Sequence, residues 1–157
     1  MRLFIAIEFP RHIREGLLTW QDALRQVSRA RFPGEEHFHL TLHFLGEVAV
    51  GRIDDIVHSL QQASRQCSPF ALSFGRQLYC FGPSRLLRVV WLGLAGDLTQ
   101  LLQLQRTIVA TMNLAIDDRP AYNPHITLAR DVHLLRPDML QGDKLAGVLR
   151  PCCPQSG

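Results

Sequence analysis

The chain has 157 residues, of which 46% are hydrophobic and 20% charged, a composition that excludes disordered and fibrous classes. This length suffices for one domain with a real core, or for two small lobes that share one. The formal net charge of +3 at pH 7 favours an anionic partner only weakly.

The four cysteines, at positions 67, 80, 152 and 153, lack the paired CxxC spacing that is typical of zinc sites. Cys152 and Cys153 are poor partners for each other because they are adjacent, and no secretory leader is recognised. We therefore expect reduced thiols in a cytoplasmic protein.

The N-terminal part of the chain has the pattern of a strand, a helix and a second strand. Leu3–Phe9 is a nearly continuous apolar run, too short to span a bilayer, and Pro10 ends it. A helix is predicted from Arg11 to about Ala30, with Gln21 on its polar side. Its buried stripe would consist of Ile13, Leu17, Trp20, Leu24 and Val27.

A second strand is predicted at residues 37–45. Its alternation places His37, His39, Thr41 and His43 on one face, and Phe38, Leu40, Leu42 and Phe44 on the other. The apolar face would lie in a core. A face of three imidazoles and a hydroxyl needs water or a ligand, because buried polar groups require partners.

The next elements repeat this order. We predict a helix over 53–66, strand segments over 70–74 and 78–81, an apolar strand over 85–94, and a helix that Asp97 can cap. The strand at 124–130 then places His125 and Thr127 on one face, with Ile126 and Leu128 on the other. Beyond Arg130 we predict a short helix at 138–145 and a frayed tail from Pro151.

Two strand-helix-strand units can be superimposed on this pattern. Leu3 lies 36 positions before His39, and Val89 lies 36 positions before His125. Equal spacing suggests an internal duplication, although two instances are fewer than a repeat array needs. A pair of pseudo-symmetric lobes would bring the two motif strands to face each other across a cleft.

Two His-x-Thr strands suit phosphodiester hydrolysis without a metal. This reaction needs a base that deprotonates water, an acid that protonates the leaving oxygen, and donors that hold the phosphoryl oxygens. Two imidazoles can do both proton transfers near neutral pH. A threonine two residues further along shares the face of its histidine and can donate to the same phosphate.

These motifs carry a family resemblance. His39-Leu-Thr-Leu, His125-Ile-Thr-Leu-Ala-Arg130, the opening Arg2-Leu-Phe-Ile-Ala-Ile and Arg88-Val-Val-Trp-Leu-Gly93 together resemble the two-histidine (2H) phosphoesterase superfamily. Within it, the match is to the RNA 2′,3′-cyclic phosphodiesterases, first described as 2′-5′ RNA ligases. The similarity covers roughly residues 2 to 131, and the pair of HXTX motifs in this order is its most specific part.

The resemblance implies an α+β, bilobal, pseudo-symmetric fold in which two mostly antiparallel sheets flank a central cleft, with the helices outside. It implies opening of a terminal 2′,3′-cyclic phosphate to a 2′-phosphomonoester, with no metal or other cofactor. His39 would be the proton donor to the leaving 3′-oxygen and His125 the proton acceptor that activates water. Thr41, Thr127 and Arg130 would bind the phosphate.

The expected partner is an RNA or a nucleotide that ends in a 2′,3′-cyclic phosphate, and we expect a monomer with no membrane partner. Residues 1–157 would form a single domain of two lobes. Residues 131–157 are expected to be atypical or truncated, because family members usually continue with a further apolar strand and a Tyr-containing closing segment. His37 and His43 are interpreted as rim groups, because Asn123 and Ala129 take their places in the second unit.

Two alternatives stay open at this point. A metal-dependent hydrolase could use His37, His39 and His43, since alternate strand residues project together and three imidazoles suit zinc. An RNA-end or nucleotide-binding module could keep the cleft without turnover, with Phe9, Phe44 or Tyr122 stacking on a base.

Overall fold

Most strands and helices of the structure lie where the side-chain periods of the sequence predict them. The structure is a computed structural model that describes residues 1–113 and 122–146. The elements in these residues are β1 (Arg2–Glu8), α1 (Arg11–Arg25), β2 (Ser28–Arg31), β3 (His39–Glu47), α2 (Ile53–Arg65), β4 (Leu72–Phe81), β5 (Leu87–Gly96), α3 (Leu98–Thr111), β6 (His125–Leu134), β7 (Leu140–Gln141) and β8 (Lys144–Leu145). Each described helix is too short or too polar to traverse a lipid bilayer.

The chain divides into two compact units, neither of which is continuous in sequence. The first contains Met1–Ile7, Thr41–Ser73 and the described part of Leu94–Pro124. Most of the two-stranded sheet of β1 and β3 belongs to it, together with helices α2 and α3, which pack on each other. Its buried core includes Ile5, Leu42, Ala63, Leu101 and Ile108.

The second unit contains Glu8–Leu40, Phe74–Gly93 and the described part of His125–Gly157. It holds a six-stranded sheet in the order β2-β6-β5-β4-β8-β7, against which α1 packs. The pairs β2–β6, β5–β6, β4–β8 and β7–β8 are antiparallel. The expectation of an α+β fold with antiparallel sheets is therefore confirmed.

Helix α1 ends earlier than the sequence pattern predicts. It ends at Arg25, and Ser28–Arg31 forms β2 instead of a last helical turn. The carbonyl of Leu24 accepts hydrogen bonds from the Val27 N–H (3.0 Å) and the Ser28 hydroxyl (2.7 Å), which close the helix. Pairing of β2 with β6 then outweighs the helical spacing of Val27, as tertiary contacts often outweigh local propensity.

The strand of the first motif also differs from the prediction. His37 ends a 3₁₀ turn, Glu35–His37, and β3 begins only at His39, so His37 does not share the face of the strand. On the other face Leu40 and Leu42 are buried as predicted. Phe44 is not, since it is 65% exposed and its aromatic neighbour Phe4 is itself 48% exposed.

The helix predicted at 138–145 is wrong. A 3₁₀ turn at Pro137–Met139 leads into the small hairpin of β7 and β8, which turns at Gly142 with a positive φ of 62°. Strand β8 pairs with β4 through Leu145 and Lys144, so this segment does supply further strands and covers part of the β4 edge. The predicted tail from Pro151 and the loop at 117–120 lie outside the described residues.

Asp97 precedes α3 as predicted, but it makes no side-chain cap. Its carboxylate instead accepts a hydrogen bond from the Ala71 N–H at 2.9 Å, while the Asp97 N–H donates to the Ala71 carbonyl at the same distance. The residue therefore ties the end of β5 to the start of β4.

Strands β4 and β5 approach closely at Gly75. A Cβ at this position would lie 2.8 Å from the carbonyl oxygen of Gly93, which is backbone and cannot move aside without opening the sheet. We predict that Gly75→Ala lowers the free energy of unfolding by about 1–3 kcal/mol, as overpacking does. Gly51→Ala is the control, since nothing lies within 4 Å of its added Cβ. Chemical denaturation of both variants measures the difference, and equal stability of the two would contradict the prediction.

Candidate active site

Strand β6 presents the second motif as the sequence predicts. His125 is exposed and Thr127 is half-buried. The alternating residues Ile126 and Leu128 are fully buried. On β5, His125 lies opposite Gly93 and Thr127 opposite Trp91. Directly opposed residues share a face of a sheet, so both motif side chains lie on the face of Trp91, away from the core.

A break in register brings Arg130 to the same face. Regular alternation would place Arg130 with Ile126 and Leu128, on the core side. However, the register of β5 and β6 shifts between Val90 and Trp91, so that Leu128 is the extra residue of a β-bulge. Leu128 and Ala129 are consecutively buried, and Arg130 lies opposite Val89, on the same face as Trp91.

The charges around Arg130 leave its guanidinium available to an anion. Its neighbour on β2 is Arg31, and like charges directly opposite each other are unfavourable. Arg31 is neutralised by Asp131, with 2.6 Å between Nε and Oδ2. Within residues 1–113 and 122–146, Arg130 itself forms no ion pair with a carboxylate.

A row of side chains next to His125 fixes the orientation of its ring. The imidazole meets Trp91 edge to face, with 5.7 Å between ring centroids, and Trp91 stacks on Tyr79 at 6.0 Å. Lys144, opposite Tyr79 on β8, places its ammonium 5.9 Å from the centre of the Tyr79 ring. Aromatic contacts of this kind are worth about 0.5–1.5 kcal/mol each beyond burial, enough to favour one ring orientation.

The first motif begins at the start of β3, where His39 and Thr41 are both half-buried. Burial is the largest cause that lowers the pKa of His39; the charge of His37 lowers this pKa further, and Glu8 raises it. His37 therefore lies near enough to influence His39 although it is outside the strand. The free protein thus favours a neutral imidazole at position 39.

Tyr122 anchors the backbone of the first motif. Its hydroxyl donates a hydrogen bond to the carbonyl of Thr41 at 3.0 Å, and it lies three residues before His125 in the chain. Burial raises the pKa of Tyr122 to about 12, so the hydroxyl remains a donor throughout the range in which histidines titrate. Tyr122 thus has a structural contact, and the base-stacking role considered from the sequence stays a hypothesis.

The comparisons with known proteins agree with the motifs. Residues 9–143 match the family described as the 2′-5′ RNA ligase superfamily. The chain belongs to this superfamily. Two relatives are named RNA 2′,3′-cyclic phosphodiesterase. The one from Methanothermobacter thermautotrophicus is 30% identical over an alignment that covers 83% of this chain and 71% of the relative. The one from Escherichia coli is 35% identical over 83% of this chain and 72% of the relative. The crystal structure of E. coli LigT complexed with 3′-AMP is 28% identical, with a TM-score of 0.66 over 92% of this chain and 79% of that one.

The structure brings together three of the candidate site residues and places a fourth in the same compact unit. His125, Thr127 and Arg130 share one face of β6, and His39 belongs to the same compact unit as these three residues. Thr41 and His43 are assigned to the first unit. That His39 and His125 flank a single phosphorus atom stays a prediction.

The described residues lend no support to the metal-site alternative. Among residues 1–113 and 122–146, no three His, Cys, Asp or Glu side chains are grouped so that they could hold a metal ion. The 3₁₀ turn removes His37 from the strand face on which that alternative depended.

The sequence analysis missed Gln21 and the supporting role of Trp91. Gln21 was placed on the polar side of α1 but is fully buried. Its spacing of four residues from Leu17 and three from Leu24 was the available signal. Trp91 alternates with Val90 and Leu92, which could have placed it on the face opposite the core; the approach of Tyr79 from another strand had no local signal.

The two charged neighbours of His39 should shift its pKa in opposite directions. We predict that His37→Gln raises the pKa of His39, because a like charge is removed, and that Glu8→Gln lowers it, because an opposite charge is removed. An NMR titration of the His39 ring in the free protein measures both shifts. His58→Gln, on the exposed side of α2, should leave the titration unchanged. Shifts of the same sign in the first two variants would refute this description of the site.

Proposed function

We propose that this protein hydrolyses the terminal 2′,3′-cyclic phosphate of RNA to a 2′-phosphomonoester by metal-independent acid–base catalysis. Water attacks phosphorus and the bond from phosphorus to the 3′-oxygen breaks. The base takes a proton from the water and the acid gives its proton to the 3′-oxygen, which leaves a 3′-hydroxyl. The observation that carries the proposal is the shared face of His125, Thr127 and Arg130 in a chain that is 30–35% identical to relatives named for this activity.

The proposed roles follow from the chemistry of each group. Thr41 and Thr127 donate hydrogen bonds to the phosphoryl oxygens, and Arg130 supplies a permanent positive charge on the face of His125. His125, held by Trp91, is the proton acceptor that activates water. His39 is the proton donor to the leaving 3′-oxygen. Each of the two proton transfers contributes about 10² to 10⁴-fold in rate.

The pKa of His39 bears directly on its role. In the free protein, burial favours the neutral ring, which is the form a base needs and a donor lacks. A bound cyclic phosphate carries a negative charge, and a nearby negative charge raises the pKa of an imidazole. His39 can therefore become a donor when the substrate arrives. If the 5′-hydroxyl of a second RNA takes the place of water, the same base deprotonates that hydroxyl, the same acid protonates the leaving 3′-oxygen, and the protein would join the two ends through a 2′-5′ phosphodiester bond. In the reverse reaction, cleavage of that bond, the two histidines exchange roles.

We further propose that the protein works as a monomer in the cytoplasm. The free thiols of Cys67 and Cys80 support a reducing compartment. The relatives are named RNA 2′,3′-cyclic phosphodiesterase, and an RNA or nucleotide that ends in such a phosphate is the proposed partner here.

The first test is hydrolysis of a 2′,3′-cyclic nucleotide in EDTA. We predict 2′-phosphate product from the wild type, and a loss of about 100-fold or more in kcat with His39→Ala or His125→Ala. His133→Ala is the matched control, because His133 is an exposed histidine on the same strand as His125. Loss of wild-type turnover in EDTA would indicate a metal enzyme, and tight binding without product would indicate the binding module. Persistent turnover in either alanine variant would remove that histidine from its role.

The second test assigns the donor. In the profile of kcat/KM against pH, a donor must be protonated in the free enzyme, so its pKa sets the basic limb; a base must be neutral, so its pKa sets the acidic limb. Since His37→Gln raises the pKa of His39, we expect the basic limb to move to higher pH, and Glu8→Gln to move the same limb to lower pH. Movement of the acidic limb instead would show that His39 is the base and exchange the two roles.

A further inference from the structure

The bulge that turns Arg130 to the face of His125 receives a hydrogen bond from outside the sheet. The register of β5 passes over Leu128, and β2 pairs with β6 only from Arg130 onward. Leu128 therefore has no residue directly opposite it in either neighbouring strand. The residue is fully buried, and a buried carbonyl without a partner costs about 1–3 kcal/mol.

Gln21 supplies this donor from α1. Its side-chain amide nitrogen donates to the Leu128 carbonyl at 2.9 Å and to the Pro33 carbonyl at 2.9 Å. Pro33 lies in the segment that leads to the 3₁₀ turn before His39. One buried amide thus contacts both the strand of the second motif and the chain that enters the first.

The rest of the Gln21 side chain argues against a role in stability alone. The residue is fully buried, and its amide oxygen has no hydrogen-bond partner in the described part of the chain. Burial of an unpaired amide oxygen is unfavourable, so an apolar residue would be the less costly choice at a site that only filled space. What Gln21 provides and an apolar residue lacks is the pair of donated hydrogen bonds.

We propose that Gln21 is a positioning residue that acts through Arg130. By satisfying the Leu128 carbonyl it holds the extra residue in β6, and the extra residue sets the face on which the guanidinium lies. Without the bulge, regular alternation would direct Arg130 toward the core, where a guanidinium without a partner is not tolerated. This inference rests on the proposed function, because it assigns Arg130 to the bound phosphate.

The test is a double-mutant cycle of Gln21→Met and Arg130→Met, measured as kcat/KM for a 2′,3′-cyclic nucleotide. Methionine keeps the approximate shape of glutamine and removes its donors. We expect about 10-fold or greater loss in each single variant, and a double variant within about 3-fold of Arg130→Met alone, because Gln21 has no effect once the guanidinium is absent. A double variant whose loss is the product of the two single losses would overturn the proposal.

Ser28→Ala is the matched control. Ser28 is also buried, and its hydroxyl bonds to the Leu24 carbonyl at the end of the same helix, not to β6. The Ser28→Ala variant should therefore be less stable than wild type but keep the kcat/KM of wild type. If Gln21→Met does not fold, Gln21→Leu replaces it in the cycle, since leucine is also apolar and has no group that donates a hydrogen bond.

A second measurement separates this inference from the proposed function. In wild type, Arg130 and Val89 are opposed on one face, so NMR should detect a cross-strand contact between their side chains. Gln21→Met should lose this contact while the pair Leu92 and Ile126 keeps theirs. If wild type shows no hydrolysis but the contact is lost, the proposed function fails and the positioning role stands. If hydrolysis is present and the contact survives in Gln21→Met, the positioning role fails alone.

Discussion

The candidate site depends on one irregular residue in one strand. A regular β6 could present His125 and Thr127 on its outer face, but it would point the next cation, Arg130, toward the core. The extra residue at Leu128 reverses the alternation after it, so that an imidazole, a hydroxyl and a guanidinium share one surface. A second shift in register lies just after Arg130, in the pairing of β2 with β6. Asp131 has a positive φ of 50° at this point. Arg130 therefore lies between two breaks in register, a position typical of functional strands, where a bulge redirects a side chain.

The sequence predicted well what local periodicity controls. The positions of β1, α2, α3 and the two motif histidines followed from apolar spacing, because each element buries one face or stripe and the chain shows that period. The same reasoning failed where a distant partner decided the outcome. Ser28–Arg31 continues a helical spacing, yet it becomes a strand because β6 offers hydrogen bonds. The local sequence of the hairpin at 140–145 predicts a helix, because the edge of β4 with which the hairpin pairs leaves no signal in those residues.

The same distinction between local and distant signals applies to the candidate site. Two short motifs and a family resemblance predict the candidate site residues without a structure: His39, Thr41, His125, Thr127 and Arg130. The residues that hold these side chains in place could not be predicted from local motifs. Gln21 looked like an ordinary polar residue of an amphipathic helix, and only the position of Pro33 and Leu128 around it gives its amide a purpose. Trp91 looked like one more apolar residue of β5, and its contact with the imidazole depends on the pairing of two strands that are far apart in the sequence.

Burial of His39 links the fold to the order of events in the proposed reaction. A donor that was fully protonated in the free protein would hold a charge in a half-buried position, which desolvation opposes. The fold instead lowers the pKa of the His39 ring, through burial first and through the neighbouring charge of His37 second. In the proposed reaction, the phosphate brings the negative charge that makes protonation of His39 favourable. Under this proposal, binding and protonation are coupled: each favours the other by the same free energy, so His39 would gain its proton mainly in molecules that hold a substrate able to accept it.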